Sequence, residues 1–215
     1  MYTPHKMTIP NAKLQSGFGM IEVLVSLVIL MVGLLGLAGL MMQSQRSEME
    51  SYQRVQALIL LQDIAGRINA NRKVASCYAI TTSSANGTPY LGVSATALIP
   101  SCATGTTAQN ARVAADLTAW DALLKGAAES VGASKVGAMV DARGCIRYDS
   151  STELSNTTTG ATITGTGIYT IEIAWQGMGN TFANTTSMCA TSQYDSGNEL
   201  QRRVVPLTFR IASLV

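Results

Sequence analysis

From Val23 to Met42 the chain runs through about twenty residues whose one polar side chain is Ser26, the length a helix needs to cross a hydrocarbon core of about 30 Å. Beyond Gln43 the apolar positions thin into a helical period. Met49, Tyr52, Val55, Leu58 or Ile59, Ala65 and Ile68 recur at threes and fours, while Arg46, Glu48, Glu50, Arg54 and Asp63 fall elsewhere. One helix of about fifty-five residues, roughly 80 Å long, is expected, its lower half in the membrane and its upper half presenting that stripe to a globular domain. A coiled-coil dimer would use the same stripe, but the amphipathic part is short for one.

The pattern then changes. Lys73 to Asn110 is rich in Ser, Thr, Gly and Ala, contains Pro89 and Pro100, and reads as a loop. From Ala111 to about Ala127, Val113, Leu117, Trp120, Leu123 and Leu124 share one face of a short helix, with Trp120 a core residue. Strands at Val136 to Val140 and Cys145 to Tyr148 flank a turn from Asp141 to Gly144. A Thr and Gly rich loop from Ser150 to Gly167 follows. Tyr169, Ile171, Ile173 and Trp175 then alternate with Thr170, Glu172 and Ala174, the period of a half-buried strand. In the last strand Val205, Leu207, Phe209 and Ile211 alternate with Pro206, Thr208 and Arg210; Pro206 cannot donate to a ladder and belongs at an edge or at the strand's start. The expected fold class is α+β, a long N-terminal helix on a small antiparallel sheet.

Composition adjusts this picture in two places. Only 13% of residues are charged, against a soluble average of about 25%, because of the apolar run and a head rich in small polar residues. The formal charge of +2 comes from Lys6 and Lys13, so residues 18–215 are neutral and give no global electrostatic reason to bind nucleic acid. Cys77, Cys102, Cys145 and Cys189 follow the apolar run at separations of 25, 43 and 44 residues. None forms a CxxC, and an even count in an exported domain suggests two disulfides. Three connectivities are open; Cys77 with Cys102 and Cys145 with Cys189 close the more local loops.

Glu22 stands at the mouth of the apolar run. A carboxylate in lipid costs on the order of 2.5 to 3.5 kcal/mol, so it calls for a cationic partner or a function. A cut between Gly17 and Phe18 would place a new α-amine four residues before it, one helical turn away. Lys13, Gly17, Phe18, Glu22 and the run from Val23 to Met42 resemble the class III leader of type IV prepilins and their pseudopilin relatives. A secretory signal has a shorter core and places its small residues after it. The resemblance implies a pilin-like fold, cleavage after Gly17 by prepilin peptidase, which also N-methylates Phe18, and pairing of Glu22 with the amine of a neighbouring subunit. It implies other major and minor pilins and an inner-membrane assembly platform as partners. Gly33, Gly36 and Gly39 form a packing face or a stretch able to melt; in the resembling family a mid-helix segment near this depth unwinds. DLTAWDALL, residues 116–124, resembles a stretch of the type IV pilus modification proteins, a family of minor pilins known as PilV.

The expected organisation is a leader at 1–17, a transmembrane and assembly helix at 18–42, its amphipathic continuation at 43–72 and an exported head at 73–215. His5, Lys6 and Lys13 without an acid keep the leader cytoplasmic; Met7 offers a shorter start. The inner membrane before assembly and the fibre at the cell surface after it are the expected locations. His5 is the one histidine, so residues 18–215 hold no imidazole for a catalytic triad or a histidine metal site. No phosphate loop follows a strand. The expectation is therefore no enzyme, no cofactor and no metal. Asn86, Asn156 and Asn184 belong in turns. The leading function is a minor pilin that initiates or modifies pilus assembly, and a pseudopilin of type II secretion is the alternative. A DNA-uptake subunit is a further reading, resting on Lys135, Arg143, Arg147, Arg202, Arg203 and Arg210, although bases balanced by acids usually form a solvated surface.

Overall fold

A run of Leu, Val, Ile, Met and Ala without a proline makes helix α1, Met20–Ala70, 51 residues without interruption in the computed structural model. The structure describes residues 17, 19–128, 130–132, 134–135, 139–194, 197 and 199–212. It divides into two units, residues 1–45 and 46–215. In the first, α1 is exposed along its whole length.

In the second unit α1 buries Gln53, Ala57, Leu60, Leu61, Ile64 and Ile68. This corrects the expected stripe. Met49, Tyr52, Val55, Leu58 and Ile59 are 42% to 55% exposed, and of the expected positions only Ile68 is fully buried, with Ala65 packed at the margin. The helix is apolar around much of its circumference, so local hydropathy does not select a face. Packing does: Trp120 lies fully buried against the chosen stripe and donates its indole N–H to the Leu60 carbonyl at 3.1 Å.

Helix α2, Thr107–Leu124, starts four residues earlier than expected. Thr106 and Gln109 form a capping box that satisfies the first free N–H groups. Its buried face is Val113, Asp116, Leu117, Trp120 and Leu124, while Leu123 is half-buried. Between the helices the expected loop contains a 3-10 turn, Arg72–Tyr78, and a short strand β1, Leu91–Gly92. Asp116 is buried beneath this turn and accepts from the Tyr78 hydroxyl at 2.7 Å, Arg67 at 3.1 Å and Arg112 at 3.2 Å. Burial pushes the Tyr78 hydroxyl up to about 12.

The sheet has the order β1-β4-β7-β8, all antiparallel, with β4 at Arg143–Asp149, β7 at Ile168–Gln176 and β8 at Arg202–Arg210. Pro206 therefore lies on an edge strand, opposite Glu172. The expected strand before β4, Val136 to Val140, is not seen at its described end. Residues 136–138 lie outside the described residues, Met139 and Val140 are not strand, and β4 takes β1 and β7 as its partners. The short pairs are β2, Ser130–Val131, with β3, Ser134–Lys135, and β5, Leu154–Ser155, with β6, Thr162–Ile163. The second occupies the expected Ser150 to Gly167 loop. Asn156 turns it, its side chain accepting from the Thr158 and Thr159 N–H groups at 2.8 and 3.1 Å.

Tyr169, Ile171, Ile173 and Trp175 of β7 join Ile146 of β4 and both helices in the main core. Gly144 lets α2 approach β4 closely, since a Cβ there would overlap the Trp120 ring and Leu124. The opposite face was expected to meet solvent, yet Glu172 and Ala174 are buried too. The connection 177–201 folds across it, forming a second cluster of Tyr90, Cys145, Ala174, Cys189, Ala190 and Tyr194. Disulfides join Cys145 to Cys189 across this layer and Cys77 to Cys102 beside α2.

Candidate processing and assembly site

Gly17 and Gly19 precede α1, and Phe18 lies outside the described residues. The helix opens at Met20, and the Gly19 carbonyl accepts from the Glu22 N–H at 2.9 Å. Glu22 thus sits in the first turn, where an anion complements the free N–H groups of a helix N-terminus. Its carboxylate is exposed and makes no hydrogen bond or ion pair among the described residues. One turn on, Ser26 returns its hydroxyl to the Glu22 carbonyl at 2.6 Å and so leaves no free donor among the apolar side chains.

From Val23 to Met42 all large hydrophobic side chains are more than half exposed. An 18-residue window of α1 reaches a mean hydropathy of 2.8 with none of it buried, long and apolar enough to cross a membrane. Gly33, Gly36 and Gly39 are helical and open: a Cβ at any of them would meet nothing within 4 Å. Packing inside the protomer therefore does not require glycine there.

The bases singled out for nucleic acid have other employment. Arg202 is buried and gathers three backbone carbonyls, Asn184 at 2.6 Å, Ser187 at 2.9 Å and Cys189 at 3.3 Å, besides the Glu199 carboxylate. Arg143 is buried beside Asp141 at 2.8 Å, its guanidinium 4.8 Å from the Tyr194 ring and 5.5 Å from the Tyr90 ring. Arg147 pairs with buried Glu172 at 3.3 Å, Arg203 with Glu50 at 3.2 Å, and Arg210 donates to the Thr152 carbonyl at 2.6 Å. Arg143, Arg147 and Arg202 thus lie on the outer face of the sheet, Arg203 ties β8 to α1 and Arg210 ties β8 to the loop before β7, each engaged within the fold; the side chain of Lys135 lies outside the described residues.

Among the described residues no three His, Cys, Asp or Glu side chains gather where a metal ion could be held. A groove of about 720 Å³ at the C-terminal end of α1, lined by Arg72, Lys73, Thr104, Gln109 and Thr166 among others, has no carboxylate side chain among its described lining residues.

Residues 12–38 match the family defined by the prokaryotic N-terminal methylation motif. No curated protein and no solved structure matches the chain. The matched segment spans Gly17, Phe18, Glu22 and most of the apolar run, and it supports a type IV prepilin-like protein.

Proposed function

We propose that this type IV prepilin-like protein is a minor pilin, a structural subunit that enters a type IV pilus and initiates or modifies its assembly. One observation carries the reading: an exposed apolar helix opens on a single carboxylate, Glu22, that has no partner among the described residues. A carboxylate so placed is costly in lipid and becomes favourable when a cation is delivered to it. Removal of residues 1–17 delivers that cation as the α-amine of Phe18, N-methylated after cleavage. Glu22 then docks on the amine of the subunit already in the fibre while helices at 18–42 bundle along the axis.

The upper part of the helix, 43–72, supports the same reading. It buries one stripe in the head at 73–215 and leaves a second apolar stripe, including Met49, Val55 and Ile59, exposed for neighbouring subunits. Gly33, Gly36 and Gly39, unused for packing inside the protomer, are where the helix extends or meets a neighbour. Before assembly the chain resides in the inner membrane with its leader cytoplasmic, and prepilin peptidase and the assembly platform act on it there. Chain length, two disulfides and the DLTAWDALL segment favour a subunit of the pilus-modification type over a type II secretion pseudopilin.

Protein from piliated cells should begin at Phe18 with one added methyl group by intact mass and N-terminal peptide mapping. A chain beginning at Met1 or Met7 removes the amine from Glu22 and overturns the proposal. Glu22→Ala should still be cleaved and should be depleted from sheared fibres; an undiminished level refutes the docking role. Deletion should impair piliation, whereas loss of type II secretion with intact pili would identify a pseudopilin.

A further inference from the structure

The groove at the C-terminal end of α1 lies wholly within the second unit, and assembly through Glu22 makes no use of it. Arg72 and Lys73 line it, both exposed and neither paired with a carboxylate among the described residues. The carboxylates behind its walls are engaged elsewhere: Asp116 by Tyr78, Arg67 and Arg112, and Glu153 by the Tyr148 hydroxyl and, at 2.9 Å, the Gly165 N–H. Ser76 and Thr164 turn exposed hydroxyls to the groove with no hydrogen bond among the described residues. Gln109 spends its carbonyl oxygen on the Thr106 N–H at 2.9 Å, which leaves its amide N–H groups spare. The walls are held in place. Asn71 donates to the Gln109 carbonyl at 3.0 Å and to the Tyr78 hydroxyl at 3.3 Å, fastening the end of α1 to the start of α2. Thr166 donates to the Ile163 carbonyl at 2.6 Å, and its own carbonyl accepts from Arg210 at 3.2 Å.

We propose that this groove binds an acidic oligosaccharide, a short chain of sugars that carry carboxylates. Its volume of about 720 Å³ lies within the roughly 300 to 1,000 Å³ of small-molecule sites. Arg72 offers a planar fork and Lys73 a point charge to the sugar carboxylates, and no carboxylate in the lining opposes them. The hydroxyls of Ser76 and Thr164 both donate and accept, as sugar hydroxyls do, and the Gln109 amide adds donors. Ala75 and Ile211, 2% and 5% exposed, give a shallow apolar floor for the C–H face of a ring. A single-stranded nucleic acid would need an aromatic platform, and no aromatic side chain stands among the described lining residues. An acidic peptide would need a free strand edge or apolar pockets for its side chains, whereas this lining is built of hydroxyls, amides and two cations. The inference concerns the second unit alone and stands apart from the assembly reading.

Titration calorimetry of the full chain in lauryldimethylamine oxide, whose headgroup carries neither a sugar nor a net anionic charge, tests this with trigalacturonate as the probe. Trigalacturonate should bind as a single molecule per chain, and galactotriose, its neutral counterpart, about tenfold more weakly or worse. Replacing both cations, Arg72→Ala with Lys73→Ala, should weaken trigalacturonate by about tenfold or more. Ser76→Trp should abolish binding by filling the groove while leaving both cations in place. All three side chains are exposed and unpartnered among the described residues, so these substitutions leave the fold intact. The absence of binding at millimolar trigalacturonate refutes the proposal. Binding undiminished in either variant places the ligand elsewhere and refutes it as well. Triglutamate bound as tightly as trigalacturonate makes this a site for acidic peptides, and the saccharide proposal falls.

Discussion

Replacement of Arg202 separates two roles for the same cation. Arg202→Ala withdraws a guanidinium that is 2% exposed and serves three carbonyls of the 177–201 connection. Ser187 and Cys189 are themselves buried, so two carbonyls lose their partner where water enters poorly. At about 1 to 3 kcal/mol for each unsatisfied buried group, and with some relief from water entering the vacated volume, the expected loss is about 3 to 4 kcal/mol. Arg202→Lys should recover less than half of it, because an ammonium cannot reproduce the planar fork that reaches separate carbonyls. Guanidinium denaturation of the purified full chain in detergent, followed by the emission of buried Trp120 and Trp175, measures the difference. Arg203→Ala, which removes a surface pair with Glu50, provides the contrast at about 1 kcal/mol or less. A loss below about 1 kcal/mol for Arg202→Ala, accompanied by weaker DNA retention, would refute the structural role and restore the nucleic-acid reading.

Two further expectations concern the same molecule. Removing the Cys145–Cys189 disulfide as the paired serine variant frees a loop of 44 residues and should cost about 4 kcal/mol on the chain-entropy scale, with new proteolysis in 177–201; an unchanged midpoint would refute it. Tyr78 has its folded pKa raised from 10.0 to about 12, so the folded state keeps the proton where the unfolded chain loses it. Its contribution is complete below pH 10 and is lost as pH rises through about 12, on the order of 2 to 3 kcal/mol. The stability of Tyr78→Phe should fall less steeply across that window, and identical pH profiles would contradict the assignment.

The sequence by itself determined the parts of this protein that depend on local order. Gly17, Phe18 and Glu22 ahead of an apolar run are legible because the methylation motif that residues 12–38 match is defined by residue types at fixed spacing. Trp120 in the core and Pro206 at an edge follow from side-chain chemistry alone, and the capping pair Thr106 and Gln109 was a readable start for α2 that the apolar period placed too late. Tertiary structure decided what local order leaves degenerate. Two apolar stripes run along the upper part of α1, and only the shape of the head, with Trp120 against Leu60, chose Ala57, Leu61 and Ile64 over Met49, Val55 and Ile59. Glu172 and Ala174 have the pattern of a solvent face and are buried because the connection that follows β7, fastened by Cys189 and Arg202, folds back over them. Arg143, Arg147 and Arg202 read as surface charge because the groups that bury them, Tyr90 and Tyr194 for the first, Glu172 for the second and the Ser187 and Cys189 carbonyls for the third, are brought to them only by folding.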